Sequence, residues 1–214
     1  MSDTVVYIDG HNLYHGIRRK FGRKYLWLDV VRLAQHMRQD DRIVKVRYYT
    51  AAVRGEPDAT HRQMDYLAAL AASAPGRIEI VRGHFKAKTF RCPRCGARWT
   101  CSCNPPQEYR TYEEKLTDVA LGTDMVRDAA SGLGDTSVLV STDTDFHPAI
   151  EACLQLAPHR RIFIAYPPGR HSPRNDFDGR VTAFQIPEQH FAAAQLPELV
   201  TRGGRSYRRP NKWR

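Results

Sequence analysis

The sequence predicts a three-layer α/β domain, in which helices cover both faces of a mainly parallel β-sheet. Short apolar strands alternate with longer helical segments along the chain, and a parallel strand pair needs such a helical crossover. The chain has 214 residues and is 42% hydrophobic, which is enough to build a substantial core. This hydrophobic content also excludes a wholly disordered chain.

The segments up to residue 85 follow this alternation. Thr4–Asp9 is an apolar run that ends at Asp9 before Gly10, which is typical of a buried strand followed by a turn. Asp29 is a favoured helix N-cap and precedes a segment with helical apolar spacing. The predicted strands are Thr4–Asp9, Ile43–Ala51 and Arg77–Phe85, and the predicted helices are Leu13–Phe21, 30–37 and Pro57–Ser73.

The second half of the chain resumes the alternation after an irregular stretch. Residues 86–112 have neither strand nor helix spacing and carry a cysteine cluster. The predicted elements after it are the helix Glu113–Ala130, the strand Ser137–Ser141, the helix His147–Ala157 and the strand Arg161–Tyr166. We therefore predict one domain over residues 1–200, with 86–112 as an insertion inside it and 201–214 as a basic, flexible tail.

The positive charge is concentrated in two segments. Of the formal net charge of +10, residues 84–112 contribute +5 and residues 201–214 contribute +6, so the rest of the chain is nearly neutral. Two basic segments on a neutral body are typical of a protein that binds a polyanion such as a nucleic acid. The alternative for the tail is a solvated basic end without a partner.

The sequence favours a cytoplasmic protein without a membrane partner. It contains no run of the roughly 20 apolar residues that a membrane span needs. Residues 1–16 lack the basic and apolar regions of a secretory signal. There are five cysteines, four of them within twelve residues, and this spacing favours a metal site over a disulfide framework.

Carboxylates follow two predicted strands at the points where they end. Asp9 ends the first strand, and Asp143 and Asp145 come just after the fourth, while Asp118 and Asp124 lie on the helix leading into it. Ligand sites of parallel sheets form at the carboxyl ends of the strands. Crowded carboxylates repel one another unless a cation neutralises them, and oxygen-rich sites suit Mg²⁺ or Mn²⁺. The alternative is that Asp9 and Asp143 are turn and cap residues.

Three segments resemble the motifs of a nuclease family, and they occur in that family's order. Val6–Leu13 (VYIDGHNL) resembles the opening motif of NYN-domain proteins, the LabA-like branch of the PIN-like nucleases. Lys115–Asp124 (KLTDVALGTD) resembles the second motif and Val138–Phe146 (VLVSTDTDF) the third. The similarity extends over about residues 4–168.

This resemblance implies a PIN-like, Rossmann-like α/β fold and metal-dependent cleavage of RNA. The family's metal-binding acids correspond to Asp9, Asp118, Asp143 and Asp145. The supporting polar positions correspond to Asn12 and Ser141. Asp124 corresponds to a further acidic position, for which metal binding and a capping or orienting role are the two alternatives. With Mg²⁺ or Mn²⁺ bound, an activated water would attack the phosphorus in line and leave a 5′-phosphate and a 3′-hydroxyl.

The cysteine cluster is predicted to hold a structural Zn²⁺. Cys92 and Cys95 form a CxxC knuckle, and Cys101 and Cys103 supply two more sulfurs, enough for tetrahedral coordination. The short spacer and the CxC pair depart from an ordinary zinc ribbon. A redox pair at Cys92 and Cys95, unliganded thiols and an iron–sulfur site are the alternatives.

Basic and aromatic residues alternate around the cluster and recur in the tail, as in surfaces that bind phosphates and stack bases. The candidate RNA-binding residues are Lys86, Lys88, Arg91, Arg94, Arg98, Trp99, Arg205, Arg208 and Arg209. The sequence thus favours a ribonuclease acting on single-stranded or structured RNA. A non-catalytic nucleic-acid-binding module with the same fold is the main alternative, and a phosphatase with an aspartyl nucleophile is disfavoured because no acidic pair follows the first strand.

Overall fold

The strand β1 (Asp3–Asp9) is buried over nearly its whole length and separates two halves of the core. Successive side chains of a strand point to opposite faces, so Val6 and Ile8 join one apolar cluster while Val5 and Tyr7 join the other. The structure is a computed structural model that describes residues 1–53, 56–106, 110–169, 177 and 179–213, with 85–88 and 110–115 described through their backbone.

The other strands extend the sheet on both sides of β1. They are β2 (Arg42–Ala51), β3 (Ile78–Thr89), β4 (Arg110–Lys115), β5 (Thr136–Val140), β6 (Arg161–Tyr166), β7 (Val181–Gln185), β8 (Leu199–Arg202) and β9 (Arg205–Arg208). Among the described residues, seven strands form one sheet in the order β4-β3-β2-β1-β5-β6-β7. Six of them are parallel and β4 runs antiparallel to β3. The carboxyl ends of β1 and β5 are adjacent, at the point where the strand order reverses, which is where ligands bind in such sheets.

Helices cover both faces of this sheet. They are α1 (Gly10–Phe21), α2 (Val30–Met37), α3 (Pro57–Ser73), α4 (Thr117–Ala130), α5 (His147–Leu156) and α6 (Glu188–Ala193). The helices α1, α2, α3 and α6 contribute buried residues to the cluster that contains Val6, and α4 and α5 contribute to the cluster that contains Tyr7. The predicted α/β fold with a parallel sheet is therefore confirmed.

The boundaries of the insertion differ from the prediction. Residues 86–89 continue β3, and 110–115 pair with it as β4, so a two-stranded ribbon carries the cysteine segment. Glu113 and Glu114 lie in β4, and the following helix begins at Thr117 instead of Glu113. Cross-strand pairing supplies the hydrogen bonds here, and it joins residues too far apart in sequence for local periodicity to show.

The C-terminal residues do not form the flexible tail that the charge pattern predicted. The strands β8 and β9 pair as a hairpin, and Val200 and Trp213 are buried. The Trp213 ring lies 5.7 Å from the Tyr66 ring and 6.3 Å from the Trp27 ring. The segment contains few apolar residues, so its composition did not predict that Val200 and Trp213 are buried in the core.

A buried ionic network joins α4 to the sheet. The Asp128 carboxylate accepts hydrogen bonds from the Tyr7 hydroxyl at 2.9 Å and from two guanidinium nitrogens of Arg47, each at 3.0 Å. Arg160 donates to the Asp128 carbonyl oxygen at 3.2 Å. The network connects α4 to β1 and β2 and fixes the helix that carries Asp118.

In the described parts of the chain, no helix has the length and apolar character needed to cross a membrane.

Candidate functional site

The junction of β1 and α1 holds the first carboxylate in a fixed position. Asp9 is the N-cap of α1, and its Oδ1 accepts a hydrogen bond from the Asn12 amide at 2.9 Å. Asp9 is only 9% exposed. The backbone turns closely against β2 here, because a Cβ on Gly10 would lie 2.5 Å from the Tyr49 carbonyl oxygen. Only glycine fits this turn without displacing β2.

The end of β5 is tied to the end of β1 by hydroxyl groups. The Ser141 hydroxyl donates to Asp9 Oδ2 at 3.0 Å and accepts from the Asp143 amide at 3.1 Å. The Thr142 hydroxyl donates to the Asn12 side-chain oxygen at 3.1 Å. The two strand ends therefore present Asp9 and Asp143 as one connected unit.

The other acids of the site, Asp143, Asp145 and Asp118, are exposed and lie at the beginnings of helical segments. Asp143 caps the 3₁₀ turn Thr144–Phe146, with its Oδ1 accepting from the Asp145 amide at 3.0 Å. The side chains of Asp143 and Asp145 are exposed. Asp118 lies in the first turn of α4.

Electrostatics show that these carboxylates are close to one another. Partial desolvation is the largest cause that raises the pKa of Asp118, followed by the negative charges of Asp9, Asp143 and Asp145. The positive charge of His11 opposes this rise. The structure thus brings together the four acids that the motifs predicted as metal ligands.

Asp124 has a different environment from these four. Its carboxylate accepts a hydrogen bond from the Tyr49 hydroxyl at 2.8 Å and pairs with Arg127 at 2.9 Å. It lies six residues after Asp118, which is about 9 Å along a helix axis. These contacts make Asp124 a residue that fixes α4 against β2, in agreement with an orienting role.

The carboxylate oxygens of these four acids are chemically suited to bind a hard divalent cation. In the described part of the chain, no group of three His, Cys, Asp or Glu side chains already stands in ion-binding geometry. Partial desolvation, followed by repulsion from Asp9, Asp143 and Asp145, raises the pKa of Asp118. A cation would relieve this repulsion, and carboxylate oxygens are the ligands that Mg²⁺ and Mn²⁺ prefer.

The cysteine segment forms a tight turn at its first pair. The Cys92 amide donates to the Ala97 carbonyl at 2.8 Å, and the Gly96 amide donates to the Cys92 carbonyl at 2.9 Å. Backbone hydrogen bonds from Cys95 and Arg94 are the largest causes that lower the pKa of the Cys92 thiol. Such bonds favour a thiolate, which is the form that binds metal.

The cysteines form no disulfide bond in the structure. Cys95, Cys101 and Cys103 are exposed, and Cys92 is partly buried. Cys153 is buried in the cluster beneath α5, and burial raises its pKa to about 11. It therefore stays protonated as a core residue.

The predicted RNA-binding residues fall into three groups. Arg91, Arg94, Arg98, Trp99, Arg205 and Arg208 are exposed. The side chains of Lys86 and Lys88 lie outside the described residues. Arg209 differs from the prediction, because its guanidinium donates to the Trp213 and Lys24 carbonyls and pairs with Glu198. These internal contacts hold the C-terminal turn in place and leave Arg209 little access to RNA.

A pocket beside α1 was not predicted from the sequence. Its volume is about 550 Å³, and its lining includes aromatic and basic side chains. One sequence pattern is related to this pocket. His11, Tyr14, His15 and Arg18 follow the i, i+3, i+4, i+7 spacing of one helix face, and all four line the pocket.

Comparisons with known proteins agree with the motifs. The sequence pattern of the NYN domain family matches residues 3–183. A Pseudomonas putida protein named 6-hydroxy-3-succinoylpyridine 3-monooxygenase HspA is 26% identical over 238 residues, which cover 98% of this chain and 75% of that protein. A crystal structure of a Vibrio parahaemolyticus protein of unknown function has a TM-score of 0.55 at 17% identity, covering 91% of this chain and 96% of the other.

Proposed function

The chain belongs to the NYN domain family, and we propose that it is a divalent-metal-dependent ribonuclease acting at the cluster of Asp9, Asp118, Asp143 and Asp145. Its family supports a nuclease in general terms. The observation that carries the proposal is the junction of β1 and β5, where Ser141 bridges Asp9 and Asp143. The LabA-like assignment stays a prediction.

The four acids and Ser141 have different roles in the proposed reaction. Mg²⁺ or Mn²⁺, when bound, supplies an activated water and neutralises charge that develops on the phosphodiester. Asp9, Asp118, Asp143 and Asp145 would hold the ion. The Ser141 hydroxyl orients the Asp9 carboxylate and accepts a hydrogen bond from the Asp143 backbone amide.

Asn12 and Asp124 act through their neighbours in the same proposal. The Asn12 backbone N–H donates to Asp9, and the Asn12 side-chain oxygen accepts a hydrogen bond from Thr142. Asp124 fixes α4 through Tyr49, and α4 carries Asp118. Both are therefore positioning residues, not ligands.

Cleavage of end-labelled RNA tests the function. Single-stranded and hairpin RNAs are incubated with Mn²⁺, Mg²⁺ or a chelator, and the products are followed with time. We expect cleavage with either ion and none in the chelator. Tight RNA binding without cleavage under every condition would instead support the non-catalytic RNA-binding module.

We also propose that Cys92, Cys95, Cys101 and Cys103 bind one Zn²⁺ that orders the cysteine segment and presents Arg94, Arg98 and Trp99 to RNA. The backbone hydrogen bonds that lower the Cys92 pKa support this site. A bound metal can order a loop that lacks an apolar core of its own.

Loss of zinc is expected to weaken RNA binding without abolishing it. The variant Cys92→Ser/Cys95→Ser is expected to lose its zinc, and its RNA affinity should fall about three- to tenfold because phosphate contacts are disordered. Metal content is measured by mass spectrometry, and affinity is measured by fluorescence polarisation in an Asp143→Asn background so that the RNA stays intact. Cys153→Ala is the control and keeps both zinc and affinity. Unchanged RNA affinity in the zinc-free variant would remove the segment from substrate binding.

The basic hairpin of β8 and β9 is expected to contact phosphates through Arg205 and Arg208. A deletion would also remove Trp213 from the core, so the variant Arg205→Ala/Arg208→Ala is the better test. Two lost contacts to single-stranded RNA reduce the slope of log affinity against log salt by about 1.4. Arg32→Ala/Arg77→Ala makes the same charge change elsewhere and serves as the control. An equal slope in both double variants would exclude the hairpin from the interface.

A second candidate function comes from the Pseudomonas relative. Its name describes a monooxygenase that acts on 6-hydroxy-3-succinoylpyridine, and the pocket of about 550 Å³ beside α1 is large enough for such a pyridine. A monooxygenase consumes O₂ and two electrons from a reductant, and it places one oxygen atom in the organic product and one in water. Oxidation of NADH that depends on 6-hydroxy-3-succinoylpyridine would support this function, and its absence would favour the nuclease.

A further inference from the structure

We propose that the pocket beside α1 binds one nucleotide of the RNA substrate, with the base against aromatic side chains and the phosphate against arginines. This inference rests on the proposed ribonuclease function and adds the substrate subsite next to the carboxylates. The pocket lies between α1, the end of β2, the start of α3 and the 3₁₀ turn Asn211–Trp213.

The aromatic wall of the pocket is already rigid. Tyr66 donates a hydrogen bond to the Leu28 carbonyl at 2.9 Å, and its ring packs edge-on against Trp213 and Tyr48 at 5.7 and 6.4 Å. Tyr14 on α1 also lines the pocket and is 39% exposed. These contacts fix the aromatic wall before a ligand binds. A base can therefore pack against the wall without the entropic cost of ordering its side chains.

The polar part of the lining is strongly basic. Its charged side chains are Arg18, Arg23, Arg62 and Lys212 against Glu56. Among the described residues, no carboxylate lies within 4.0 Å of any of these four cations. Four cations facing one acid favour an anionic ligand, and arginine in particular suits a phosphate. A nucleotide combines an aromatic base with an anionic phosphate, and so it matches both the aromatic and the basic parts of the lining.

The pocket adjoins the carboxylate cluster directly. Gly10 and His11 belong to its lining and follow Asp9 in the chain. His11 lies two residues after Asp9, and its ring packs against that of His15, another lining residue, at 4.3 Å. A nucleotide in the pocket would therefore direct its neighbouring phosphate toward the carboxylates.

The volume of the pocket agrees with a single nucleotide. Pockets of about 300–1,000 Å³ hold ligands of this size, and 550 Å³ lies within that range. A longer RNA would continue outward over the surface. One nucleotide therefore binds in the pocket, and the rest of the RNA strand contacts the basic segments.

Single substitutions on the pocket wall test this assignment. Tyr14→Ala, Arg18→Ala and Arg62→Ala remove one stacking or phosphate contact each, and Arg32→Ala, an exposed arginine on α2 outside the pocket, is the control. Affinity for adenosine 5′-monophosphate and for a short RNA is measured by calorimetry in a chelator. We expect each pocket variant to weaken both about tenfold and to raise KM similarly with little change in kcat. The control is expected to match the unmodified protein.

The outcomes separate this inference from the ribonuclease proposal. Cleavage that is unaffected by all three pocket variants would overturn the subsite and leave the nuclease in place. Loss of nucleotide binding in the variants of a protein that cleaves no RNA would support the pocket and reject the nuclease. Benzoate serves as a small aromatic acid in a third arm. If it binds through the same residues more tightly than the nucleotide, the assignment to RNA is wrong.

Discussion

Replacing Asp143 or Asp9 by Asn is expected to reduce RNA cleavage by at least about 10³-fold while leaving RNA binding intact. Each change removes a charged oxygen donor from the proposed metal site, and the charge that the ion stabilises then develops without compensation. Removing a negative charge also relieves repulsion of the phosphates. A like charge about 5 Å away costs roughly 0.8 kcal/mol in water, so RNA affinity stays the same or rises up to about fourfold.

Cleavage rates and RNA affinities of four variants check this expectation. Asp124→Asn is expected to cause a smaller loss, about 10–100-fold, because it acts on α4 through Tyr49. Asp65→Asn, an exposed acid on α3, is the matched control with no expected effect. Full activity in Asp143→Asn would place the chemistry elsewhere. An equal loss in Asp65→Asn would indicate a nonspecific charge effect.

The variant Asp128→Ala is expected to lose about 3–5 kcal/mol of unfolding free energy, because the buried Arg47 guanidinium loses its bidentate partner and keeps only the partly exposed Glu79 as a counter-charge. The Tyr7 hydroxyl loses its acceptor as well. For a chain of this length, the melting temperature then falls by roughly 6–20 °C. Thermal unfolding followed by circular dichroism measures the change.

Two neighbouring variants separate the buried network from a general effect on α4. Arg127→Ala removes an exposed partner that lies 3.7 Å from Asp128 and is expected to cost less than about 1 kcal/mol. Tyr7→Phe removes one hydrogen bond to a charged group and is expected to cost about 1.5–3 kcal/mol. If Asp128→Ala were no more destabilised than Arg127→Ala, the network would not be what holds α4 to the sheet.

Local patterns were sufficient to predict most of the elements. Pro57–Ser73 and Arg161–Tyr166 have the predicted bounds, and Asp29 caps α2 through the Val31 and Arg32 amides. Propensity, capping and hydrophobic period all point to the same structure in these segments. The alternation of strands and helices then limits the topology to a parallel sheet.

Long-range pairing explains where the predictions failed. The ribbon of β3 and β4 joins residues about 20 to 30 positions apart, and its strands carry no alternating apolar pattern. The C-terminal turn depends on Trp213 packing against Trp27 and Tyr66, which are distant in sequence. Neither contact can be predicted from the residues that are adjacent in sequence.

The candidate site was predictable in part for the same reason. Asp9, Asn12, Ser141 and Asp143 lie in short motifs at strand ends, so the topology alone brings them together. The pocket instead combines residues from α1, α3 and the C-terminus, and only the three-dimensional fold assembles it. Arg209 shows the converse, since a basic residue in a basic segment is used for internal hydrogen bonds.

The end groups of the cleavage products test the central claim most directly. A uniform RNA substrate is digested with Mn²⁺, and the products are treated with a 5′-phosphate-dependent exonuclease and analysed by mass spectrometry. Hydrolysis at the carboxylate cluster predicts 5′-phosphate and 3′-hydroxyl ends that appear only with the divalent ion. Products with 2′,3′-cyclic phosphate ends, formed equally well in a chelator, would contradict the metal-dependent carboxylate mechanism.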